Sequence, residues 1–174
     1  MIKIKRIKRI AIAVKDLEAS LAHWKEMFGI KVFTRGSEPG ALYHWAAFEI
    51  GEDHGNTVMT MEFLSPLNDP KGVGMIGKFI KERGEGLYMV TMETKGDLAQ
   101  VRKEFTETGL KPSWSQKNVG WDHGKDPQIA RIKSWWETYV HPKDANGALI
   151  TLASIEYSGP VVTTSDEGAV KKGS

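Results

Sequence analysis

Five histidines and six tryptophans are the side chains of this 174-residue chain best suited to proton transfer and to gripping an apolar ligand. His123 sits in Trp121-Asp-His-Gly124, where Asp122 or Asp126 can orient its imidazole. A loop histidine beside a carboxylate can act as acid and base once the loop closes, although it can equally be an ordinary polar residue. His23 falls on a helical pattern and His54 in the turn Glu52-Asp-His-Gly-Asn56, so both are expected to face solvent. His141 opens a His-Pro-Lys turn, where structural hydrogen bonding is the expected role. Trp45, Trp114, Trp121, Trp135 and Trp136 supply the aromatic surface. Neighbouring Trp135 and Trp136 must point to opposite faces of a strand, so one of them can line an interior. They can form packed core, or the wall of a pocket for a planar or hydrophobic ligand. No phosphate-binding G-x-x-x-x-G-K-[ST], no G-x-S-x-G and no H-E-x-x-H occurs, and with no cysteine there is no thiolate chemistry.

The elements that must hold these residues repeat. Arg9-Ile-Ala-Ile-Ala-Val14 reads as a strand. Asp16 then caps a helical pattern with Leu17, Leu21, Trp24 and Phe28 on one face, closed by Gly29. About 80 residues later the same order returns. Met89–Thr94 is strand-like, Asp97 is a cap, Leu98, Val101 and Phe105 form an apolar face, and Gly109 closes it. Strands are expected at Lys31–Thr34, Leu42–Ile50 and Thr57–Leu64, and again at Lys111–Trp114, Ile129–Val140 and Ala148–Ser154. Two β-α-β-β-β modules follow, over 7–67 and 87–156. A linker at 68–86 carries a short helix, Val73–Arg83, and a polar, mobile tail runs over 157–174. Ser115–Gln128 reads as a long functional loop. The expected class is α+β, with the two modules paired in a cupped, barrel-like mixed sheet.

Composition narrows the partners. With 40% hydrophobic and 26% charged residues, the chain can bury a core without disulfides. A net charge of +2 gives no electrostatic case for nucleic acid, and no apolar run approaches a membrane span of about 20 residues. The basic start, Met1–Ile10, lacks the apolar stretch of a signal peptide. A cytoplasmic protein with a small-molecule partner is expected.

The paired modules resemble the vicinal-oxygen-chelate superfamily, which includes glyoxalase I, extradiol dioxygenases, bleomycin-resistance proteins and methylmalonyl-CoA epimerases. Ile10-Ala-Ile-Ala-Val-Lys-Asp-Leu-Glu-Ala-Ser-Leu21, Phe63-Leu-Ser-Pro-Leu67, Lys78-Phe-Ile-Lys-Glu-Arg-Gly-Glu-Gly86 and His141-Pro-Lys143 with Gly147-Ala-Leu-Ile150 look most like the epimerases. The resemblance spans about residues 9–153 and implies a homodimer. It also implies a divalent metal held by His and Glu/Gln on the first and last strand of each module. Those positions here are Arg9, Glu62, Met89 and Thr151. Arginine has no lone pair to give, methionine is soft and threonine is a weak neutral donor, so the usual metal is not expected. The catalytic Glu of the epimerases, on the third strand, matches Trp45; a one-residue slip would put His44 there instead.

In a hollow rebuilt this way, Arg9 can replace the metal's charge and hold a carboxylate or an enolate, with Glu62 as general base. A structural ion pair is the competing reading. His44 and His123 are further acid–base candidates. Trp45, Met89, Trp121, Trp135 and Thr151 are expected to line the substrate. No cofactor is expected, although a divalent ion on His44, His123 and Glu62 is conceivable. The expected activity is an isomerase or lyase acting by proton abstraction beside a carbonyl, on a carboxylic acid or CoA thioester. The alternative is a non-catalytic protein that binds and sequesters a small molecule, of the bleomycin-resistance type.

Overall fold

The structure is a computed structural model, described over residues 1–49, 59–109, 115–116 and 132–157. Its order is β1 (Ile4–Ala13), α1 (Leu17–Phe28), β2 (Val32–Glu38), β3 (Tyr43–Glu49) and β4 (Thr60–Pro66). After α2 (Met75–Arg83) come β5 (Gly86–Thr94), α3 (Leu98–Glu107), β6 (Ser115–Gln116), β7 (Ile132–Val140) and β8 (Leu149–Tyr157). The eight strands form one mixed sheet in the order β2-β3-β4-β1-β5-β8-β7-β6. The α+β class and cupped mixed sheet expected from the repeat are what the chain adopts. β1 and β5 run antiparallel at its centre, and each pairs in parallel with the last strand of its own β-α-β-β-β series.

Alternation along the strands divides the core. On one face Phe48, Met61 and Phe63 pack with Leu17 and Leu21 of α1, and Trp24 sets its ring edge-on to Phe48 and Phe63 at 5.7 and 5.0 Å. Val101 and Phe105 of α3 cover Val140 and Leu152 on the same side of the other half. On the opposite, inner face Ala11, Ala13, Leu64 and Met89 meet Ile76, Phe79 and Ile80 of α2. Thus α2 closes one end of the inner hollow, and the larger polar side chains lie beyond it.

Local chemistry explains where the elements depart from expectation. α1 begins where Asp16 accepts a hydrogen bond from Ala19 N at 3.0 Å and ends at Gly29 with φ 65°. Phe28, expected on the buried face, is 65% exposed with its ring against Trp24. α2 starts at Met75, not Val73, because the Asp69 carboxylate accepts the N–H groups of Val73 and Gly74 at 2.8 Å and holds them in a turn. α3 ends one residue early, at Glu107, with Thr108 as its cap ahead of left-handed Gly109. β2 and β8 run further than expected, to Glu38 and Tyr157, so Tyr157 belongs to the sheet instead of a tail. β4 and β7 are described from Thr60 and Ile132, and the expected strand residues at 57–58 and 129–131 lie outside the described residues. Within the expected loop, Ser115 and Gln116 pair with Thr138 and Glu137. The proposed strand at 111–114 and the rest of that loop lie outside the described residues.

Gly77 faces the Asp69 turn so closely that an added Cβ would stand 2.9 Å from Gly72 Cα and clash outright with the Asp69 carboxylate. Alanine ordinarily stabilises a helix over glycine by up to about 1 kcal/mol. Here Gly77→Ala is expected to reverse that sign and cost about 1–3 kcal/mol by overpacking, read from urea unfolding.

Candidate functional site

β1 presents Arg9, Ala11 and Ala13 to the hollow, and the neighbouring strands add one polar layer at the level of Arg9. Glu62 comes from β4, Thr91 from β5, Thr151 from β8, and Trp135, Glu137 and Tyr139 from β7. Arg9 is 7% exposed and Glu62 4%, so neither charge is hydrated to any useful extent. Arg9 Nη2 donates to Glu137 Oε1 at 2.7 Å, and Arg9 Nε lies 3.3 Å from Thr91 Oγ1 and 3.7 Å from Glu62 Oε2. Thr151 donates to Thr91 at 2.7 Å, which turns the Thr91 oxygen's remaining lone pair to the guanidinium. The Trp135 ring lies 5.3 Å from the guanidinium carbon, a cation–π contact that fixes the plane of the fork. Arg9 Nη1 has no acceptor among the described residues.

The cluster's charges are set by burial and by one another. Burial opposes the charge on Arg9, but Glu137 and then Glu62 outweigh it and hold the guanidinium more firmly protonated than usual. Burial raises the proton affinity of Glu62 above the ordinary carboxylate value; Arg9 works against that rise and Glu137 adds to it. One guanidinium thus faces two buried carboxylates, and burial remains the largest cause of the rise at Glu62. Tyr43 and Tyr139 are pushed upward by burial first and by Glu62 and Glu137 respectively, so both stay neutral. Farther along β1, buried Glu93 receives Lys5 Nζ at 2.8 Å and Arg6 Nε at 2.6 Å. Burial opposes its charge, yet these two cations win and hold it below the ordinary range.

The expected residues are therefore divided. Arg9, Glu62, Thr151 and Trp135 meet in this layer, with Met89 next to it along β5. Trp135 is buried on the inner face, and Trp136 belongs to the helix face. Trp45 also faces inward, packed with Leu64 and Met89, with its indole laid over Gly36. His44, one residue earlier, consequently lies on the opposite face against Ser37, away from Glu62, so the two do not share a site. His123 and Trp121 lie outside the described residues. Glu137, Thr91, Tyr139 and Tyr43 were not anticipated. The alternation Trp135, Glu137, Tyr139 on one side of β7 was the available signal for two of them.

Glu137 also has a structural counterpart. In the first half Trp45 pairs with Leu64, two residues beyond Glu62; in the second Glu137 pairs with Ala153, two residues beyond Thr151. The two halves thus place Trp45 and Glu137 at equivalent points.

Residues 8–126 match the family model of the glyoxalase/bleomycin resistance protein/dioxygenase superfamily. The chain belongs to that superfamily. The ethylmalonyl-CoA/methylmalonyl-CoA epimerase of Cereibacter sphaeroides is 29% identical over 159 residues, covering 87% of this chain and 99% of that protein. The human mitochondrial methylmalonyl-CoA epimerase is 29% identical over 147 residues, 84% of this chain and 72% of that one. Among solved structures, a methylmalonyl-CoA epimerase in complex with methylmalonyl-CoA and ammonium superposes with a TM-score of 0.68 at 20% identity, covering 92% of this chain and 99% of that one. The Mycobacterium tuberculosis methylmalonyl-CoA epimerase gives 0.68 at 18% identity over 90% of each chain.

The positions that the resemblance assigned to a divalent ion carry poor ligands for one. Arg9 brings a positive charge in place of a lone pair, and Met89 and Thr151 are poor partners for a hard cation. Among the described residues no group of three or more His, Asp or Glu is placed to hold a metal. Among those residues no helix is long and apolar enough to cross a membrane.

Removing the cation should expose the cost of the two acids. Arg9→Met is expected to lose about 3–5 kcal/mol of stability near neutral pH, the range for orphaning a buried charge. Glu62 gives the pH dependence its sign. A carboxyl with raised proton affinity favours the folded state while protonated, and that contribution is lost as pH rises from the ordinary carboxylate range through the raised value. The Arg9→Met deficit should therefore shrink as pH is lowered from 7 toward 5, and Glu62→Gln should flatten the same slope; both are read from denaturant unfolding at several pH values.

Proposed function

We propose that this chain is an isomerase that moves the proton beside the carbonyl of a carboxylic acid or CoA thioester, and that Arg9 takes the part of a metal cation. What supports this is a guanidinium held between two buried carboxylates with Nη1 left for a substrate oxygen. The relatives named as epimerases support the thioester as substrate class.

In this reading the carbonyl oxygen accepts from Arg9 Nη1. One carboxylate removes the proton from the adjacent carbon, and the C–H electrons pass into the C=O π system to give an enolate. The fixed positive charge stabilises that oxygen as its charge develops, inside a site where water does not screen it. The second carboxyl returns a proton to the same carbon. Because the reaction runs both ways, Glu62 and Glu137 exchange the parts of acid and base with the substrate's configuration. Tyr139, 3.4 Å from Glu137 Oε2, and the Thr91–Thr151 pair position the ionic groups without taking the proton. Glu137, at the point equivalent to Trp45, supplies from the second half the carboxylate that the first half does not carry there.

The test is deuterium uptake at the carbon beside the thioester carbonyl of methylmalonyl-CoA in heavy water, followed by mass spectrometry. Wild-type protein is expected to catalyse uptake and to keep doing so after dialysis against a chelator. Glu62→Gln and Glu137→Gln should each slow it by about 10²–10⁴-fold while retaining thioester binding. Arg9→Lys should fold and bind but lose most of the rate, since a point charge cannot reproduce the fork. Full activity in both glutamine variants would overturn the assignment, and tight binding with no uptake by wild type would establish the sequestering alternative.

A further inference from the structure

On the face of the sheet away from Arg9, a hollow of about 460 Å³ lies between the first turn of α1 and the ends of β2, β3 and β4. Three side chains cross its floor in register. Ser37 pairs with His44 across β2 and β3, and His44 pairs with Ser65 across β3 and β4. Ser37 Oγ and His44 Nδ1 are 2.8 Å apart. This contact occupies Nδ1 of the imidazole and leaves Nε2 as its other polar atom. Ser65 is 3% exposed, lines the hollow, and its hydroxyl has no hydrogen-bond partner among the described residues. Leaving such a group unpaired costs free energy unless something in the hollow meets it.

The rim is rich in donors. The N–H groups of Leu17 and Glu18 fall in the first turn of a 12-residue helix and have no partner within it. The carboxylates present are already engaged: Asp16 caps Ala19 N, and Glu18 is paired with Arg35. Glu85 Oε1 accepts the Lys15 backbone N–H at 2.6 Å, and the Lys15 ammonium has no carboxylate within ion-pair distance among the described residues. The second half provides an internal control. Its equivalent hollow is lined by Asp97 at the start of α3, Trp136 at the point matching His44, and Ser154 at the point matching Ser65. There Ser154 donates to Gly96 O at 3.0 Å, so the serine is satisfied by the protein itself, and an indole replaces the imidazole. Only the first half keeps both the imidazole and an unsatisfied serine beside a lysine.

We infer that the hollow of Lys15, His44 and Ser65 at the N-terminus of α1 binds a phosphate group, separately from the chemistry at Arg9. The helix N-terminus and Lys15 supply positive potential, while His44 and Ser65 supply side-chain donors from the floor. The phosphate is either free or carried as a monoester, and both present the same three oxygens.

Amide NMR of the full chain, titrated with inorganic phosphate and then with methyl phosphate at ionic strength held constant with potassium chloride, tests this. Saturable shifts are expected in Lys15–Glu18, Ser37, His44 and Ser65, with those around Arg9 and Glu137 unmoved. The tighter of the two ligands identifies the source. Ser65→Ala removes an unpaired buried hydroxyl, so it should fold with a melting temperature no lower than wild type, yet bind phosphate about tenfold more weakly. Lys15→Gln should weaken binding similarly. Shifts that never saturate, that centre elsewhere, or that survive both substitutions unchanged would overturn the proposal.

Discussion

A guanidinium taken out of water must find acceptors or the fold does not form, and the inner face of this sheet is arranged around that demand. Arg9 sits on the strand that pairs with both β4 and β5, so acceptors reach it from both halves of the chain: Glu62 on one side, Thr91 and Glu137 on the other. Desolvation alone costs several kcal/mol per ion, and the contacts repay it only because their geometry is close. Burial is the first cause that raises the proton affinity of Glu62; Arg9 opposes the rise and the second carboxylate, Glu137, adds to it.

Hydrophobic packing and this ionic layer occupy different ends of the hollow. α2 seals one end over Ala11, Ala13, Leu64 and Met89, small or flexible residues that let the helix approach. Trp45 lies along this boundary, accommodated by the absence of a side chain at Gly36. Beyond the polar layer, Glu93 is held by Lys5 and Arg6, a second ionic group that stays fully charged because its cations outnumber it. The two acids differ accordingly: two cations hold Glu93 below the ordinary carboxylate range, whereas burial raises Glu62 despite the guanidinium beside it.

Much of this was legible before any coordinates. The repeated strand–Asp–helix–Gly pattern identified both modules, and the resemblance to the vicinal-oxygen-chelate superfamily pointed to the positions of Arg9, Glu62 and Thr151. What could not be read was fixed by pairing across long separations. Glu137 reaches Arg9 over 128 positions of sequence, and no local pattern announces that contact. The face of β3 was undecided because Tyr43-His-Trp-Ala-Ala mixes large and small residues without strict alternation; the register Trp45–Leu64 settles it by placing Ala46 and Phe48 under α1. The start of α2 was misplaced because a single carboxylate, Asp69, captures two N–H groups that the apolar periodicity would have assigned to the helix.

The equivalence of Trp45 with Glu137, and of Ser65 with Ser154, has a consequence for how such chains change. A doubled scaffold offers every functional group two addresses at the same depth and angle to the central strands. A residue given up at one address can be regained at the other with the backbone left as it was, so chemistry can migrate across the molecule while the architecture stands still.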